Sequence, residues 1–293
     1  MNGDDEKSPS TSSSNSRLDS AASLRAVLSR HGVYASKRYS QNFLVSDRVL
    51  GNIVRALERA NGVLEIGPGP GSLTQRLLDA GLSVSAIELD QRMIPVLQET
   101  APLARVSQGD ALKVDWAPFL SRLPEPRAIC GNLPYGITGP LLGKIQEVHM
   151  QIIKAVVMVQ REVMERMMAK EGSSERSALS AWIQLYFVPK LVCAVPPGSF
   201  VPPPKVNSSV VELTPRPEPE SEELLMHAHQ LIKSGFRMPR KTLANNLATD
   251  DFRTRTSVES ILEELGQSAA IRPQQVSREQ WLNLAKMLPQ QKD

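Results

Sequence analysis

Three glycines and a carboxylate stand where this chain of 293 residues could bind a nucleotide-like ligand. Gly67, Gly69 and Gly71 lie in EIGPGPG, between an apolar run and a helix-like segment. A glycine-rich turn between a strand and a helix brings backbone N–H groups close to a ligand, because it removes the side chains that would stand in the way. Glu88 ends the next apolar run, where a carboxylate can accept the hydroxyl protons of a ribose. The spacing therefore indicates an adenosine-containing cofactor.

The form of the loop favours S-adenosylmethionine over a dinucleotide. Dinucleotide folds use GxGxxG, whereas this loop reads GxGxG and is preceded by Glu65, as in S-adenosylmethionine enzymes. Asp110 follows a third strand-like run and can accept from the amino group of an adenine, although such an aspartate taken alone is more typical of a turn. A dehydrogenase is the weaker alternative.

The stretch GNLPY, residues 131–135, follows a fourth apolar run and predicts a catalytic site. Methyl transfer to an aromatic amine requires acceptors that hold the amine hydrogens, so that the nitrogen lone pair points at the methyl carbon. The amide oxygen of Asn132 and the carbonyl of Leu133, which precedes the ring of Pro134, are suitable acceptors. Tyr135 offers a face on which a base can stack, a contact worth roughly 1–3 kcal/mol. An isolated turn with a packed tyrosine would be the simpler interpretation, but the three preceding strand ends favour catalysis.

The elements that would position these residues alternate between strands and helices, which predicts a mostly parallel sheet covered on both faces. The fold class is therefore α/β, a Rossmann-like methyltransferase domain with a small C-terminal helical domain. Strands are predicted in or near 63–66, 82–89, 104–106, 127–130, 155–159, 185–195 and 210–213.

Composition divides the chain into three parts. Residues 1–36 are predicted to form a disordered or partly helical tail, since they begin with a Ser-rich polar stretch. Residues 37–215 would form the catalytic domain. The Pro- and Glu-rich segment TPRPEPESEE separates it from a small helical domain at 216–293.

Composition also limits the class of protein. A hydrophobic content of 41% and a charged content of 22% are those of a globular protein without a membrane span. We expect a cytoplasmic monomer with free thiols, because the two cysteines form no paired framework. The four histidines form no cluster with cysteines or acids, so no metal is expected. Basic side chains concentrate in 17–40 and 233–241.

Nine motifs in this order resemble the KsgA-type small-subunit ribosomal RNA adenine dimethyltransferases. The resemblance spans about Lys37 to Leu288, and its motifs are QNFL (41–44), EIGPGPG (65–71), IELD (87–90), GDAL (109–112), NLPY (132–135), VQREVMERM (159–167), FVPPPKVNSSVV (200–211), GFRMPRKTLANNL (235–247) and RPQQVSREQWLNLAKML (272–288). It implies that two adjacent adenines near the 3′ end of 16S rRNA are dimethylated in a pre-30S particle during ribosome biogenesis.

The resemblance also implies roles for single residues. Tyr135 and Phe200 would sandwich the target adenine, and Lys205 would meet a phosphate. Two positions depart from the family pattern, since Ser40 and Gly136 replace residues that are usually Gly and Asn. The cofactor would be lined by Asn42, Leu44, Gly67, Glu88, Asp110 and Asn132, and the helical domain at 216–293 would contact the RNA. Independently of the resemblance, the charge of the acid-free segment 233–241 predicts that Arg237, Arg240 and Lys241 meet RNA phosphates.

Two other functions stay open at the level of sequence. One is a macrolide-resistance type 23S rRNA adenine methyltransferase, against which FVPPPKV and the C-terminal motifs argue. The other is a ribosome-assembly or transcription-accessory factor that keeps the fold without catalysis, against which the intact GNLPY stretch argues.

Overall fold

A seven-stranded mixed sheet forms the centre of the protein. The computed structural model describes residues 17–18, 20–36, 39, 41–217, 220–248 and 254–289. The strands are β1 Phe43–Leu44, β2 Gly62–Ile66, β3 Ser83–Glu88, β4 Arg105–Gln108, β5 Arg127–Asn132, β6 Lys154–Gln160, β7 Phe187–Val195, β8 Phe200–Val201 and β9 Ser208–Pro215. The helices are α1 Ala21–Arg30, α2 Asp47–Ala56, α3 Ser72–Asp79, α4 Met93–Thr100, α5 Ala117–Ser121, α6 Thr138–Glu147, α7 Arg161–Met167, α8 Ala178–Tyr186, α9 Glu222–Gly235, α10 Leu243–Leu247, α11 Arg255–Glu264 and α12 Arg278–Met287.

The order of the strands puts a ligand site near the middle of the sheet. The order is β4-β3-β2-β5-β6-β9-β7, parallel from β4 to β6 and antiparallel at β9 and β7. The chain runs outward from β2 to β4 and then crosses to β5 on the other side of β2. Open α/β sheets bind ligands at the carboxyl ends of the strands beside such a switch point. The predicted Rossmann-like α/β class is confirmed.

The central strands β2, β5 and β6 are buried on both faces of the sheet, which explains why they are nearly continuous apolar runs, whereas the edge strands β4 and β7 are partly exposed. Side chains alternate between the faces: Leu64 and Ile66 of β2 belong to one apolar cluster and Val63 to another. Cys130 of β5 is buried and Cys193 of β7 is partly exposed, and both are free thiols. Within the described residues, none of the helices is long and apolar enough to cross a membrane.

The C-terminal helices share their core with the sheet. The last strand ends at Pro215, and α9 to α12 follow. Leu225 and Trp281 belong to the same apolar cluster as Leu64 of the central strand. A Cβ on Gly235 would lie 2.6 Å from the Trp281 ring, so only glycine allows α9 to approach α12 this closely. The two parts predicted from composition are thus packed against each other.

The N-terminal segment is packed against the catalytic domain, which differs from the expected tail. The side chain of Ser20 caps α1, and Leu24 and Val27 of this helix are fully buried. They belong to one apolar cluster with residues of α4, and Arg30 forms an ion pair with Glu99 at the end of that helix. The Ser-rich stretch 1–16 lies outside the described residues, as do Lys37, Arg38 and Ser40.

Candidate active site

Four neighbouring strands deliver the predicted ligand-binding residues to one edge of the sheet. In the ladder, Ile66 pairs with both Ile87 and Gly131, and Glu88 pairs with Gln108. The residues that follow these pairs therefore lie side by side around an open cavity of about 1170 Å³, solvent included. Its walls include Asn42, Leu44, Gly67, Glu88, Asp110, Asn132, Leu133, Pro134 and Tyr135.

The glycine loop brings backbone close to the cavity. Gly67, Gly69 and Gly71 have φ angles of 68°, 58° and 95°, which side chains rarely adopt. A Cβ on Gly67 would meet nothing within 4 Å, which is the open space that a ligand needs. Thr100 of α4 fixes the loop from behind, since its hydroxyl donates to the Pro70 carbonyl at 2.8 Å.

Glu88 connects the loop with the end of β3. Its carboxylate accepts from the backbone N–H of Gly69 at 2.9 Å and from that of Asp90 at 2.7 Å. Burial raises the pKa of Glu88 above its usual value, and these two N–H donors counteract that rise. The carboxylate is thus held at the cavity wall with lone pairs that can accept from ribose hydroxyls.

Glu65 lies beneath the loop and is only 2% exposed. Burial raises the pKa of Glu65 from 4.5 to about 7. The hydrogen bond from Thr74 lowers this pKa in part, and the nearby Glu88 carboxylate raises it slightly. The Thr74 hydroxyl donates to its Oε2 at 2.7 Å. Glu65 therefore titrates near neutral pH at the cavity wall.

The outer end of the cavity is suited to an adenine. Asp110 follows β4, and its Oδ1 accepts from the Leu112 N–H at 3.0 Å, which holds the side chain in place. Leu89 also lines the cavity and leaves 47% of its surface exposed. Sequence analysis missed Leu89, although its signal was present: an apolar residue directly after a strand-end acid.

Asn132 presents its amide to the catalytic end of the cavity. Its Nδ2 donates to the Asn42 carbonyl at 2.9 Å. An amide nitrogen can only donate, so this bond fixes the orientation of the side chain and leaves the amide oxygen as the acceptor for a substrate amine. Asn132 is partly exposed, as that role requires.

Tyr135 stands beside Asn132 in a short turn, Tyr135–Ile137. Its hydroxyl and that of Ser208 are 2.6 Å apart, which ties the ring to the start of β9 and leaves it half-buried. Gly136 has no left-handed φ, and a Cβ there would meet nothing within 4 Å. The departure at Gly136 therefore imposes no special backbone on this turn.

Leu133 and Phe200 are both buried, but only one of them borders the cavity. Leu133 lies in the cavity wall although the residue is fully buried, and its N–H continues the ladder to Met158. Phe200 is 3% exposed because β8 pairs with β1, which turns the ring into the apolar cluster beside α2. Phe200 is therefore not part of the cavity wall described above.

The predicted RNA-binding side chains lie on exposed surfaces outside the cavity wall. Lys205 is in the loop between β8 and β9, and Arg237, Arg240 and Lys241 follow α9. In contrast, Arg17 of the N-terminal basic segment forms an ion pair with Asp79, as Arg30 does with Glu99. The segment after α9 is thus the more available for phosphates.

The residues present fit S-adenosylmethionine. That cofactor contains adenosine and methionine but no phosphate. Its parts match the open backbone of Gly67, the acids Glu88 and Asp110 and the apolar surface of Leu89. Over the part of the chain that the structure describes, no group of three His, Cys, Asp or Glu side chains is arranged to hold a metal ion.

Comparisons with known proteins agree with this geometry. The family model for ribosomal RNA adenine dimethylase matches residues 33–290. The chain is 40% identical to ribosomal RNA small subunit methyltransferase A of Synechococcus sp. (strain CC9311) over 273 residues, which is 88% of this chain and 97% of the relative. It is 36% identical to the protein of the same name from Alkaliphilus oremlandii (strain OhILAs) over 253 residues, which is 83% of this chain and 87% of that one.

Two solved structures share the whole architecture. A dimethyladenosine transferase from Plasmodium falciparum superposes with a TM-score of 0.69 at 28% identity, over 83% of this chain and 95% of that one. The 23S rRNA methyltransferase ErmE superposes with a TM-score of 0.64 at 29% identity, over 84% of this chain and 99% of that one. One of these structures is named for 23S rRNA, whereas the relatives above are named for the small subunit, so the fold alone does not identify the substrate.

Proposed function

The chain belongs to the ribosomal RNA adenine dimethylase family, and we propose that it dimethylates two adjacent adenines near the 3′ end of 16S rRNA, with S-adenosylmethionine as methyl donor. The observation that carries the chemistry is the pair of side chains at the catalytic end of the cavity. Asn132 has its amide nitrogen engaged by Asn42 and its oxygen left to accept, and Tyr135 stands next to it with a tethered ring.

The cofactor-binding residues divide the cavity by chemistry. We assign the ribose hydroxyls to Glu88 and the adenine amino group to Asp110, with Leu89 against the adenine face. Gly67 lets its backbone approach the cofactor without a side chain between them. Asn42, Leu44 and Asn132 complete the wall. When bound, S-adenosylmethionine supplies the methyl group as a carbon attached to a positively charged sulfur.

The catalytic residues act by position and oriented dipoles. Tyr135 stacks on the target base, which must leave its own stack to reach the cavity. Asn132 Oδ1 accepts a hydrogen bond from the exocyclic amine and so orients its lone pair. Pro134 contributes rigidity to the turn. Leu133, in the cavity wall, would supply its carbonyl as a second acceptor, whereas the role predicted for Phe200 would require the β1–β8 pair to rearrange when RNA binds.

Small-subunit rRNA is the favoured substrate because relatives that match 83–89% of the chain at 36–40% identity are named for the small subunit. The test is to incubate unmethylated small and large subunits separately with the protein and S-adenosylmethionine, and to identify modified nucleosides by mass spectrometry. We expect dimethyladenosine in small-subunit rRNA alone. Methylated adenine in large-subunit rRNA would support the macrolide-resistance alternative, and binding without methylation would support the accessory factor.

The partner and setting follow from that substrate. We propose that the protein acts as a monomer in the cytoplasm on a pre-30S particle, in which folded rRNA presents the target bases. Residues 216–293 would contact the RNA, with Lys205 on the catalytic domain meeting a further phosphate. The supporting observation is the exposed basic segment that follows α9.

Removing the charges of Arg237, Arg240 and Lys241 together is expected to weaken binding to the small subunit about tenfold at physiological salt. With fewer phosphate contacts, binding releases fewer counterions. The slope of log affinity against log salt concentration should therefore become less negative by about two. Affinity measured by filter binding from 50 to 300 mM KCl, roughly the range over which such slopes are linear, checks this. A slope equal to that of the wild type would remove these residues from the interface.

A further inference from the structure

Residues 41–45 cross the mouth of the cavity and are called the strap below. Phe43 of the strap packs over the glycine loop, where a Cβ on Gly69 would lie 3.2 Å from its ring. Leu44 pairs with Phe200 in the β1–β8 ladder, and the N–H of Val45 donates to the Ser199 carbonyl at 2.9 Å. The strap therefore covers the loop that approaches the cofactor.

Side chains from two strand ends hold the strap on either side of that loop. On one side, Nε2 of Gln41 donates to Oδ2 of Asp90, just past the end of β3, at 2.8 Å. On the other, Nδ2 of Asn132 donates to the Asn42 carbonyl at 2.9 Å. The second contact involves a residue of the catalytic site, but the first involves a carboxylate that has no part in the mechanism above.

Asp90 is built to hold Gln41 in one place. It is 1% exposed and does not line the cavity, so it cannot act by touching the cofactor. Arg92 binds it with a fork, Nε to Oδ1 at 2.9 Å and Nη2 to Oδ2 at 2.7 Å. Burial acts to raise the pKa of Asp90, but the hydrogen bonds from Arg92 and Gln41 outweigh it and lower that pKa, so the carboxylate stays charged.

The same carboxylate is also linked to the cofactor site through the backbone. The Asp90 N–H donates to Glu88 Oε1 at 2.7 Å, so one residue contacts both the ribose-binding acid and the strap. At the far end of Gln41, its Oε1 accepts from the Ser36 N–H at 2.8 Å. Gln41 thus has both ends of its amide engaged, and only one of them depends on Asp90.

We infer that Asp90 is a positioning residue for the cofactor, which by binding Gln41 holds the strap closed over the glycine loop and slows cofactor release. This inference rests on the proposed function and deepens it. Asp90 is not a catalytic residue, because its effect passes through Gln41 and the strap.

The test reverses the direction of the Gln41–Asp90 hydrogen bond. Gln41→Glu still accepts from Ser36 but places a carboxylate against Asp90, which breaks the contact. Asp90→Asn added to Gln41→Glu supplies an amide donor in return but disturbs the contact of the same atom with Arg92 Nη2, so Asp90→Asn alone is measured as its reference. Gln41→Met removes this bond, together with the one from Ser36, without adding charge and serves if the charged variant does not fold. Asp79→Asn is the matched control. Asp79 forms an ion pair with Arg17 at 2.9 Å and does not line the cavity.

Calorimetry and stopped-flow dissociation of S-adenosylmethionine, both without RNA, give the readout. We expect Gln41→Glu and Gln41→Met to raise Kd about tenfold, mainly through faster dissociation, because a hydrogen bond to a charged group is lost. The double variant should bind S-adenosylmethionine to within about threefold of Asp90→Asn alone, because the two variants share the disturbed Arg92 contact and differ only in residue 41. At saturating cofactor, kcat should change less than about twofold, a split between KM and kcat that general loss of structure would not produce.

Two outcomes would overturn the inference: wild-type affinity in Gln41→Met, or a double variant that binds no better than Gln41→Glu alone. Failure of the proposed function is a different result, since it appears as an absence of dimethyladenosine with the wild-type protein. Cofactor binding measured without RNA is unaffected by which rRNA the protein modifies.

Discussion

Replacing Asn132 with alanine is expected to lower kcat for adenine methylation by about 10²–10³-fold, the usual effect of losing one preoriented polar group in a catalytic site. The affinity for S-adenosylmethionine should fall far less, because Glu88 and Asp110 remain at their strand ends. The physical reason is that the amide oxygen of Asn132 orients the substrate amine. The hydrogen bond from Nδ2 to the Asn42 carbonyl, 2.9 Å long, fixes this amide dipole, and a mobile water molecule cannot replace it. Single-turnover methylation of small subunits at saturating cofactor measures this effect.

Tyr135→Phe is the matched control for that experiment. It keeps the ring and removes only the hydroxyl that contacts Ser208 at 2.6 Å, so its rate should stay within about fivefold of the wild type, which is roughly one hydrogen bond. An Asn132→Ala variant with a rate in the same range would show that the amide does not orient the amine. The catalytic assignment would then have to move elsewhere in the cavity.

The strand-end residues could be predicted because their pattern is local. Gly67, Glu88, Asp110 and Asn132 each follow an apolar run, and parallel strands bring their carboxyl ends to one edge of a sheet. The order of the strands does not have to be known for that inference, since any order of parallel strands places these ends on the same edge. Their position on one cavity wall follows from the same rule.

Other features depend on contacts between distant segments. The bond from Gln41 to Asp90 joins residues 49 positions apart, and nothing near either residue indicates its partner. Phe200 is buried because the two-residue strand β8 pairs with β1. A strand this short has no hydrophobic periodicity from which it could be predicted. The N-terminal helix illustrates the same limit: the sequence predicts a disordered or partly helical tail over 1–36, but only the contacts with α4 make the helix part of the core.

Glu65→Gln is expected to stabilise the cofactor-free protein at alkaline pH. The folded state raises the pKa of Glu65 to about 7 from 4.5, so the folded state binds a proton more tightly than the unfolded state. Such a group stabilises the fold fully below pH 4.5 and loses this contribution as the pH rises to about 7. At about 1.36 kcal/mol for each pH unit, the loss approaches 3 kcal/mol. Glutamine resembles the protonated acid, keeps an acceptor for Thr74 and cannot ionise.

The free energy of unfolding in urea, measured from pH 5 to pH 8 for both proteins, checks this expectation. The difference between them should be small near pH 5 and should grow in favour of Glu65→Gln until about pH 7, beyond which it becomes constant. Glu165→Gln, which changes a carboxylate that is 46% exposed and paired with Arg161, should run parallel to the wild type across the range. If the free energies of unfolding of Glu65→Gln and the wild type also changed in parallel with pH, ionising the Glu65 carboxyl group would not destabilise the folded state. Burial would then not raise the pKa of this group.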